Sequence, residues 1–493
     1  MARQFDVPDF YRSPVVSRVK AARKAEDPRK KDLAPSVLDF GPLRVKLARH
    51  FGFCFGVENA IEIAYRALDE HPEKAAEGRI FLLSEMIHNP HVNDDLRGRG
   101  IRFLRTTKGE QLIPFDDLRP GDLVIIPAFG APPEITAELR ERGIEPETYD
   151  TTCPFVVRVW KKSAHIGAKG YTVVVHGKRN HEETRATFGH AKEDAPVVVV
   201  RDLLETEALA AVIEGRASTQ FFWDCFRDRT SPGFDPERDL ARIGVVNQTT
   251  MLATETAAIA ERVREAIVAR DGSADAFADT SDTLCYATKE NQDATISLID
   301  SGADVSLIVG GYNSSNTSHL VELCEDAGLP TYFIADANEM VSPREIRHFD
   351  WREKEERVSR DWLPVEVDRP IEVLLTAGAS CPDALLDEVI RRLLLWFPDA
   401  HPVEDALAPF PETPAPDTQE ESGASPVGPL RPGPGRRPKG APRSPDGAKP
   451  KPPGKLPGAP KPSVGPKAKP PGGAKPVSRK RPPGPKRPSV PKQ

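Results

Sequence analysis

The sequence predicts an α/β fold, and three observations carry that expectation. From about residue 44 to 398, apolar strand-like runs alternate with helical patterns across short polar loops. Several of those runs are unbroken Val, Ile and Leu, as strands covered on both faces require. Three cysteines, Cys54, Cys153 and Cys285, each stand where a strand pattern gives way to a helical one.

In chain order, the strand "RVKLAR" leads to Cys54 and the helix "VENAIEIAYRAL", whose Val57, Ala60, Ile61, Ala64 and Leu68 fall on one face. The strand "DLVII" (122–126) follows. "TYDTTCPFVVRVWKKSA" then places Cys153 after a short strand and before Pro154, the residue suited to a first helical position. "YTVVVH" (171–176), "PVVVV" (196–200) and "RIGVVN" (242–247) read as further strands. "SDTLCYATKENQDATISLID" puts Cys285 at the head of a third helix, with Ala287, Ile296 and Ile299 among its apolar positions. "DVSLIVG" (304–310) and "IEVLLT" (371–376) complete the strands. Residues 215–241 and 342–367, the latter with Trp351 and Trp362, interrupt the rhythm and read as peripheral loops. The expected organisation is an N-terminal extension (1–43), α/β domains over 44–152, 153–284 and 285–400, and a disordered tail (401–493).

The whole-chain net charge of -6 conceals an asymmetry, because residues 431–493 hold 18 Lys and Arg against one acid, Asp446. The tail segment is therefore +17 and the rest -23. An acidic body argues against a nucleic-acid-binding core and suits a small-molecule enzyme. The tail also holds 27 of the 50 prolines, so it cannot bury enough apolar surface to offset its conformational entropy. Its charge suits polyanions, and it serves equally as a solubilising extension. No apolar run approaches the ~18 residues of a membrane span, and residues 1–31 lack the apolar core of a signal peptide. The expectation is a cytoplasmic protein. Its six cysteines are too sparse for a disulfide framework and favour reduced thiols or metal ligands.

Cys54, Cys153 and Cys285 are the metal candidates. A helix start offers free N–H groups and a positive dipole end to a thiolate, the form that binds metal. Cysteine is often simply a small buried hydrophobe, but the same context three times over favours ligands. Cys324 lies within "HLVELCEDAG", Cys225 in an interruption, and Cys381 after Ser380 in a loop with another use. Three thiolates leave one coordination position open. Structural zinc prefers four closed ligands, whereas an iron-sulfur cluster on three cysteines would present one iron as Lewis acid and electron source.

Polar loops at strand ends supply anion-binding candidates. They offer His88 in "MIHNPHVN", His181 and Glu183 in "HGKRNHEET", Thr249 and Thr250 in "VNQTTM", Ser314, Ser315 and Asn316 in "GGYNSSNTSHL", and Ser380 in "TAGASCPD". Singly, such residues before a helix are usually caps. Together they recur at the carboxyl ends of strands, where open α/β sheets bind ligands, and the last two loops end at helix N-termini suited to phosphate. Glu183, a carboxyl beside a metal centre and an anion, could donate a proton.

With these residues in view, the chain resembles the 4-hydroxy-3-methylbut-2-enyl diphosphate reductase family, the last enzymes of the methylerythritol phosphate route to isoprenoids, and most closely its plant and cyanobacterial branch. The phrases "GFCFGVE", "IHNP", "PAFGA", "DTTCP", "HGK..HEET", "NQTTML", "NSSNTSHL" and "GAS.PD" stand in the family's order between about residues 44 and 398. The resemblance implies a trefoil of three α/β domains around a 4Fe-4S cluster on Cys54, Cys153 and Cys285. It implies an allylic diphosphate substrate, a proton-delivering Glu183, and Thr249 near the substrate hydroxyl. His88, His181, Ser314, Asn316 and Ser380 match diphosphate-binding positions, and Thr288 and Ser315 match further pocket residues. Ferredoxin or flavodoxin is the implied electron donor. One position departs from the commoner bacterial pattern: Phe129 stands where many members carry a histidine, which removes one cationic donor to the diphosphate and marks the branch.

Two other readings remain open on sequence. A three-cysteine dehydratase or synthase of the quinolinate synthase kind would keep the cluster and change the reaction, although the His-Glu-Glu and Asn-Ser-Ser-Asn phrases speak against it. A scaffold acting through its basic tail would not be an enzyme.

Overall fold

The computed structural model describes residues 5–278 and 283–412. The predicted tail from 413 onward lies outside the described residues. Three mostly parallel sheets form the body. The first runs Ile101–Phe103, Ile80–Leu82, Leu123–Ile125, all parallel. The second runs Val197–Val200, Thr172–His176, Ile243–Asn247, Phe277–Ala278, again parallel. The third runs Ser36–Asp39, Leu43–Leu47, Ile371–Ala377, Val305–Val309, Thr331–Ile334, with only its first pair antiparallel. Every unbroken Val/Ile/Leu run read as a strand is one. Thr172–His176, Val197–Val200, Ile243–Asn247 and Val305–Val309 are buried at every residue, because helices cover both faces.

The strand Leu43–Leu47, grouped by sequence with the segment after it, pairs in parallel with Ile371–Ala377. The chain thus leaves the third sheet at Leu47, reaches Cys54, and enters the layer of the first sheet through the helix Phe55–Glu70. That helix buries Val57, Ala60, Ile61, Ala64 and Ala67. The helix Tyr286–Asp300 departs from its expected pattern. Ile296 is exposed, and the buried positions include Thr288, Asn291, Gln292 and Thr295. Of this inward polar face, Thr288 lines a cavity, while Asn291 bonds to Asn316 and Gln292 to Met251 and Ala253.

Several segments are better folded than their sequences suggest. Residues 215–241, read as a loop, contain the helices Thr219–Phe226 and Pro236–Asp239, and Phe222, Phe226 and Phe234 fill the core beside the second sheet. Residues 342–367 belong to an antiparallel meander, Met340–Ser342, Glu345–Asp350 and Glu355–Arg360, anchored by buried Ile346 and Trp362. In the N-terminal extension, the helix Pro14–Glu26 buries Val15, Val16, Val19 and Ala22. Residues 401–412 carry the short helix Val403–Leu407, whose Ala406 and Leu407, with Phe410, pack in the same core. Arg18 ties the two ends by donating to the carbonyls of Leu407 and Phe410. The predicted tail boundary at 401 is therefore too early. In each case a few aromatic or branched residues find a shared core that composition alone does not reveal.

Candidate active site

The three cysteines cap three helices. Cys54 precedes Phe55–Glu70, Cys153 precedes Pro154–Gly167, and Cys285 precedes Tyr286–Asp300, each in extended backbone. Each cysteine N–H is held by the carbonyl of another loop: Cys54 by Ala379 at 3.1 Å, Cys153 by Ala128 at 2.9 Å, and Cys285 by Thr249 at 3.2 Å. Those loops in turn carry Ser380, Phe129 and Thr249 itself, so fixing a thiol also fixes a candidate ligand contact. Close approach is explicit at Gly56, where a Cβ would stand 2.6 Å from the Cys153 sulfur.

One cavity collects every residue the sequence singled out. Its walls include Cys54, Cys153 and Cys285 together with His88, His181, Glu183, Thr249, Thr250, Thr288, Ser314, Ser315, Asn316 and Ser380. Cys225, Cys324 and Cys381 lie elsewhere, in or against hydrophobic cores. Sequence also expected the helix starts to stabilise thiolates. The amides of Gly56 and Val57 do act on Cys54, as do those of Phe155 on Cys153 and of Ala287 and Thr288 on Cys285. Burial outweighs them. It raises Cys54 and pushes Cys153 and Cys285 up to about 12, so these thiols need a bound cation to stay ionised.

Glu183 lies in the first turn of the helix Glu182–Ala191 and is 1% exposed. It accepts from the Thr249 N–H at 2.6 Å and the Thr249 hydroxyl at 2.9 Å. Burial raises its pKa to about 7 against those two bonds, which favour the anion.

The imidazoles are fixed by a chain of contacts. The Glu183 N–H donates to His181 Nδ1 at 3.2 Å, so the His181 proton sits on Nε2. Nε2 faces His88 Nε2 at 3.1 Å, which leaves the His88 proton on Nδ1, 3.5 Å from Glu85 Oε2. Burial holds His181 well below the usual imidazole pKa. Phe129 stacks on His88 with ring centroids 4.2 Å apart and meets His181 edge-on.

The hydroxyl and amide wall is part capped, part free. Ser314 accepts from Thr317 N–H as a helix cap, the ordinary role for such a serine. Ser380 donates to the His88 carbonyl at 3.2 Å. Asn316 accepts from Ala379 N–H at 2.8 Å through Oδ1, and its Nδ2 is buried without a partner among the described residues. A buried unpaired donor in a cavity wall is costly unless a ligand takes it up. Sequence reasoning passed over Lys178, which donates to the cavity-lining Ser315 hydroxyl at 3.3 Å. The available signal was its place two residues beyond a strand end, in "HGKRNHEET".

Three sheets that deliver one thiol each to a space shared with an acid, imidazoles and hydroxyls define a class, that of a thiol-centred α/β oxidoreductase. A family model described as "LytB protein" matches residues 45–394, and the chain belongs to that family. Curated relatives include proteins named 4-hydroxy-3-methylbut-2-enyl diphosphate reductase. The one from Thermosynechococcus vestitus is 38% identical over 356 residues, covering 72% of this chain and 85% of that protein. The one from Synechococcus sp. strain RCC307 is 40% identical over 361 residues, covering 72% and 84%. A solved structure described as E-1-hydroxy-2-methyl-but-2-enyl-4-diphosphate reductase from Plasmodium falciparum aligns at a TM-score of 0.51 and 19% identity. It covers 71% of this chain and 87% of that one, and it shares the fold. Among the described residues, no helix is long and apolar enough to cross a membrane.

Proposed function

We propose that this protein reduces 4-hydroxy-3-methylbut-2-enyl diphosphate to isopentenyl and dimethylallyl diphosphates, the last step of the methylerythritol phosphate route. The single observation that carries the reading is the convergence on one cavity of three helix-capping thiols, a buried acid and a diphosphate-sized set of polar donors. The segments containing the three parallel sheets act as three domains around that centre.

The residues fit an iron-sulfur cluster better than a single ion. Their donor set is all sulfur, with backbone amides aimed at each thiol. Among the described residues, no three His, Cys, Asp or Glu side chains are grouped closely enough to hold one metal ion, whereas ligands spread around a multi-iron cluster need not be. Gly56 leaves room for the Cys153 sulfur. Cys54, Cys153 and Cys285 would hold a 4Fe-4S cluster, which when bound supplies two electrons, one at a time, and an open iron for the substrate alcohol.

The remaining work falls to the chain itself. Overall, two electrons and two protons convert the C–OH bond into C–H and release the oxygen as water. Protonated Glu183 can give its proton from Oε2 to Thr249 Oγ1, whose own O–H is then free to donate to the substrate oxygen. The diphosphate takes the Asn316 amide and the Ser315 hydroxyl, and draws the Ser380 hydroxyl and the His181 Nε2–H away from the His88 atoms they bond in this structure, with Ser314 and Thr288 closing the pocket. Ferredoxin or flavodoxin is the proposed electron donor, and the cytoplasm the proposed location. The test is anaerobic reduction of the allylic diphosphate by the cluster-loaded protein with dithionite and a viologen. Formation of both C5 diphosphates is expected, and absence of any C5 product would overturn the proposal.

A further inference from the structure

A diphosphate carries several negative charges, yet no lysine or arginine is among the described residues lining the cavity. His181 is held neutral by burial and by the N–H bond it accepts from Glu183. At position 129, where a third histidine could have stood, Phe129 covers the face of His88 instead. The polar wall as it stands binds mainly through neutral donors, which leaves a buried anion poorly compensated.

Among the described residues, Lys178 donates a hydrogen bond to this wall. Lys178 follows the strand Thr172–His176 by two residues, at the carboxyl end of the second sheet. Its N–H donates to Gln248 Oε1 at 3.2 Å, which fixes the backbone, and its ammonium crosses to the third sheet's helix to donate to Ser315 Oγ at 3.3 Å. Among the described residues it forms no ion pair; the carboxylates of Glu322 and Glu255 act on it only through space, opposed by Lys354. A half-buried ammonium without a bound counter-ion, bonded to the hydroxyl that faces a cavity, is a cation waiting for an anion.

We infer that Lys178 is the positive charge of the diphosphate subsite, acting through Ser315 in place of the cation that Phe129 does not provide. This rests on the reaction proposed above and adds to it a positioning residue. With Ser315 accepting from an ammonium, its own O–H is turned toward the cavity as a strengthened donor, and the positive charge of the ammonium lowers the energy of the phosphate anion.

The experiment compares wild-type, Lys178→Met, Lys178→Gln and Lys178→Arg proteins, each cluster-loaded, by calorimetric titration with inorganic diphosphate. Loss of the charge should weaken binding by about 10-fold to 100-fold, in Met and Gln alike, while Arg retains binding within about threefold. Gln keeps a donor without a charge, so it reads the same quantity should the Met variant not fold. In turnover, the neutral variants should raise KM for the allylic diphosphate more than they lower kcat. Neutral variants that bind inorganic diphosphate as tightly as wild type would overturn the inference, as would an Arg variant as weak as Met. Failure of wild type to reduce the allylic diphosphate would instead overturn the reaction while leaving the charge dependence of diphosphate binding to stand.

Discussion

Thr249 grips both oxygens of Glu183, its N–H on Oε1 at 2.6 Å and its hydroxyl on Oε2 at 2.9 Å. The proposed proton relay runs from Oε2 through Oγ1 toward the cavity and requires Glu183 to be protonated, so that the hydroxyl bond reverses. Burial sets the pKa of Glu183 at about 7, and a donor must be protonated to act. kcat/KM should therefore fall as pH rises through about 7. Glu183→Gln keeps the shape and removes the transferable proton, so it should retain the cluster and substrate affinity while losing turnover by about 100-fold or more. A pH profile of wild type and variant checks both; a variant with wild-type rate removes Glu183 from proton delivery.

Cys54→Ser, Cys153→Ser and Cys285→Ser should each lose the brown chromophore and most of the iron and acid-labile sulfide. Cys225→Ser, Cys324→Ser and Cys381→Ser should keep them, because those thiols sit apart from the cavity. Metal analysis and electron paramagnetic resonance on anaerobically prepared protein distinguish the two sets. Equal iron in all six variants would refute the proposed ligation.

Much of this arrangement was legible in the chain because it depends on local rules. Parallel strands announce themselves as branched apolar runs, as in Val197–Val200, and a cysteine before Pro154 marks a helix start. What was hidden depends on contacts distant in sequence. Phe222, Phe226 and Phe234 look like a charged, aromatic loop until the second sheet supplies their core. Residues 401–412 look like the start of a tail until the helix Pro14–Glu26 offers them an apolar face. Lys178 escaped notice because its meaning comes from Ser315, 137 positions away. The helix-start thiols stand where the sequence placed them and the amides act on them as expected, but burial works against the thiolate, since the depth of burial is not a local property.

Gly56 provides a test of the centre that removes no ligand. Alanine is a better helix former than glycine, so Gly56→Ala, in the first turn of Phe55–Glu70, should not weaken that helix taken alone. Its Cβ would nevertheless stand 2.6 Å from the Cys153 sulfur, closer than any real contact. We expect the variant to fold, shown by an unchanged far-ultraviolet circular dichroism spectrum, and to lose most of its bound iron. Full iron content in Gly56→Ala would mean that Cys153 has freedom the structure does not show.

Glu182, the neighbour of the proton donor, should govern stability rather than chemistry. It occupies a helix first turn, where the dipole favours an anion by up to about 1 kcal/mol, but it is buried and its Oε2 has no hydrogen-bond partner among the described residues. Desolvation prevails, and its pKa rises from 4.5 to about 8, with Glu85 adding repulsion and Ser84 opposing through a hydrogen bond. A carboxyl raised on folding contributes stability that is fully present below its unfolded value, near 4.5, and is lost as pH climbs through about 8. Over that window the loss is on the order of a few kcal/mol. Glu182→Gln removes the titration, so its melting temperature should fall less than that of wild type between pH 5.5 and pH 8.5. The contribution of Glu183 is common to both proteins and cancels in the comparison. Parallel melting curves across that range would show that Glu182 stays ionised in the fold, held by a partner the structure does not contain.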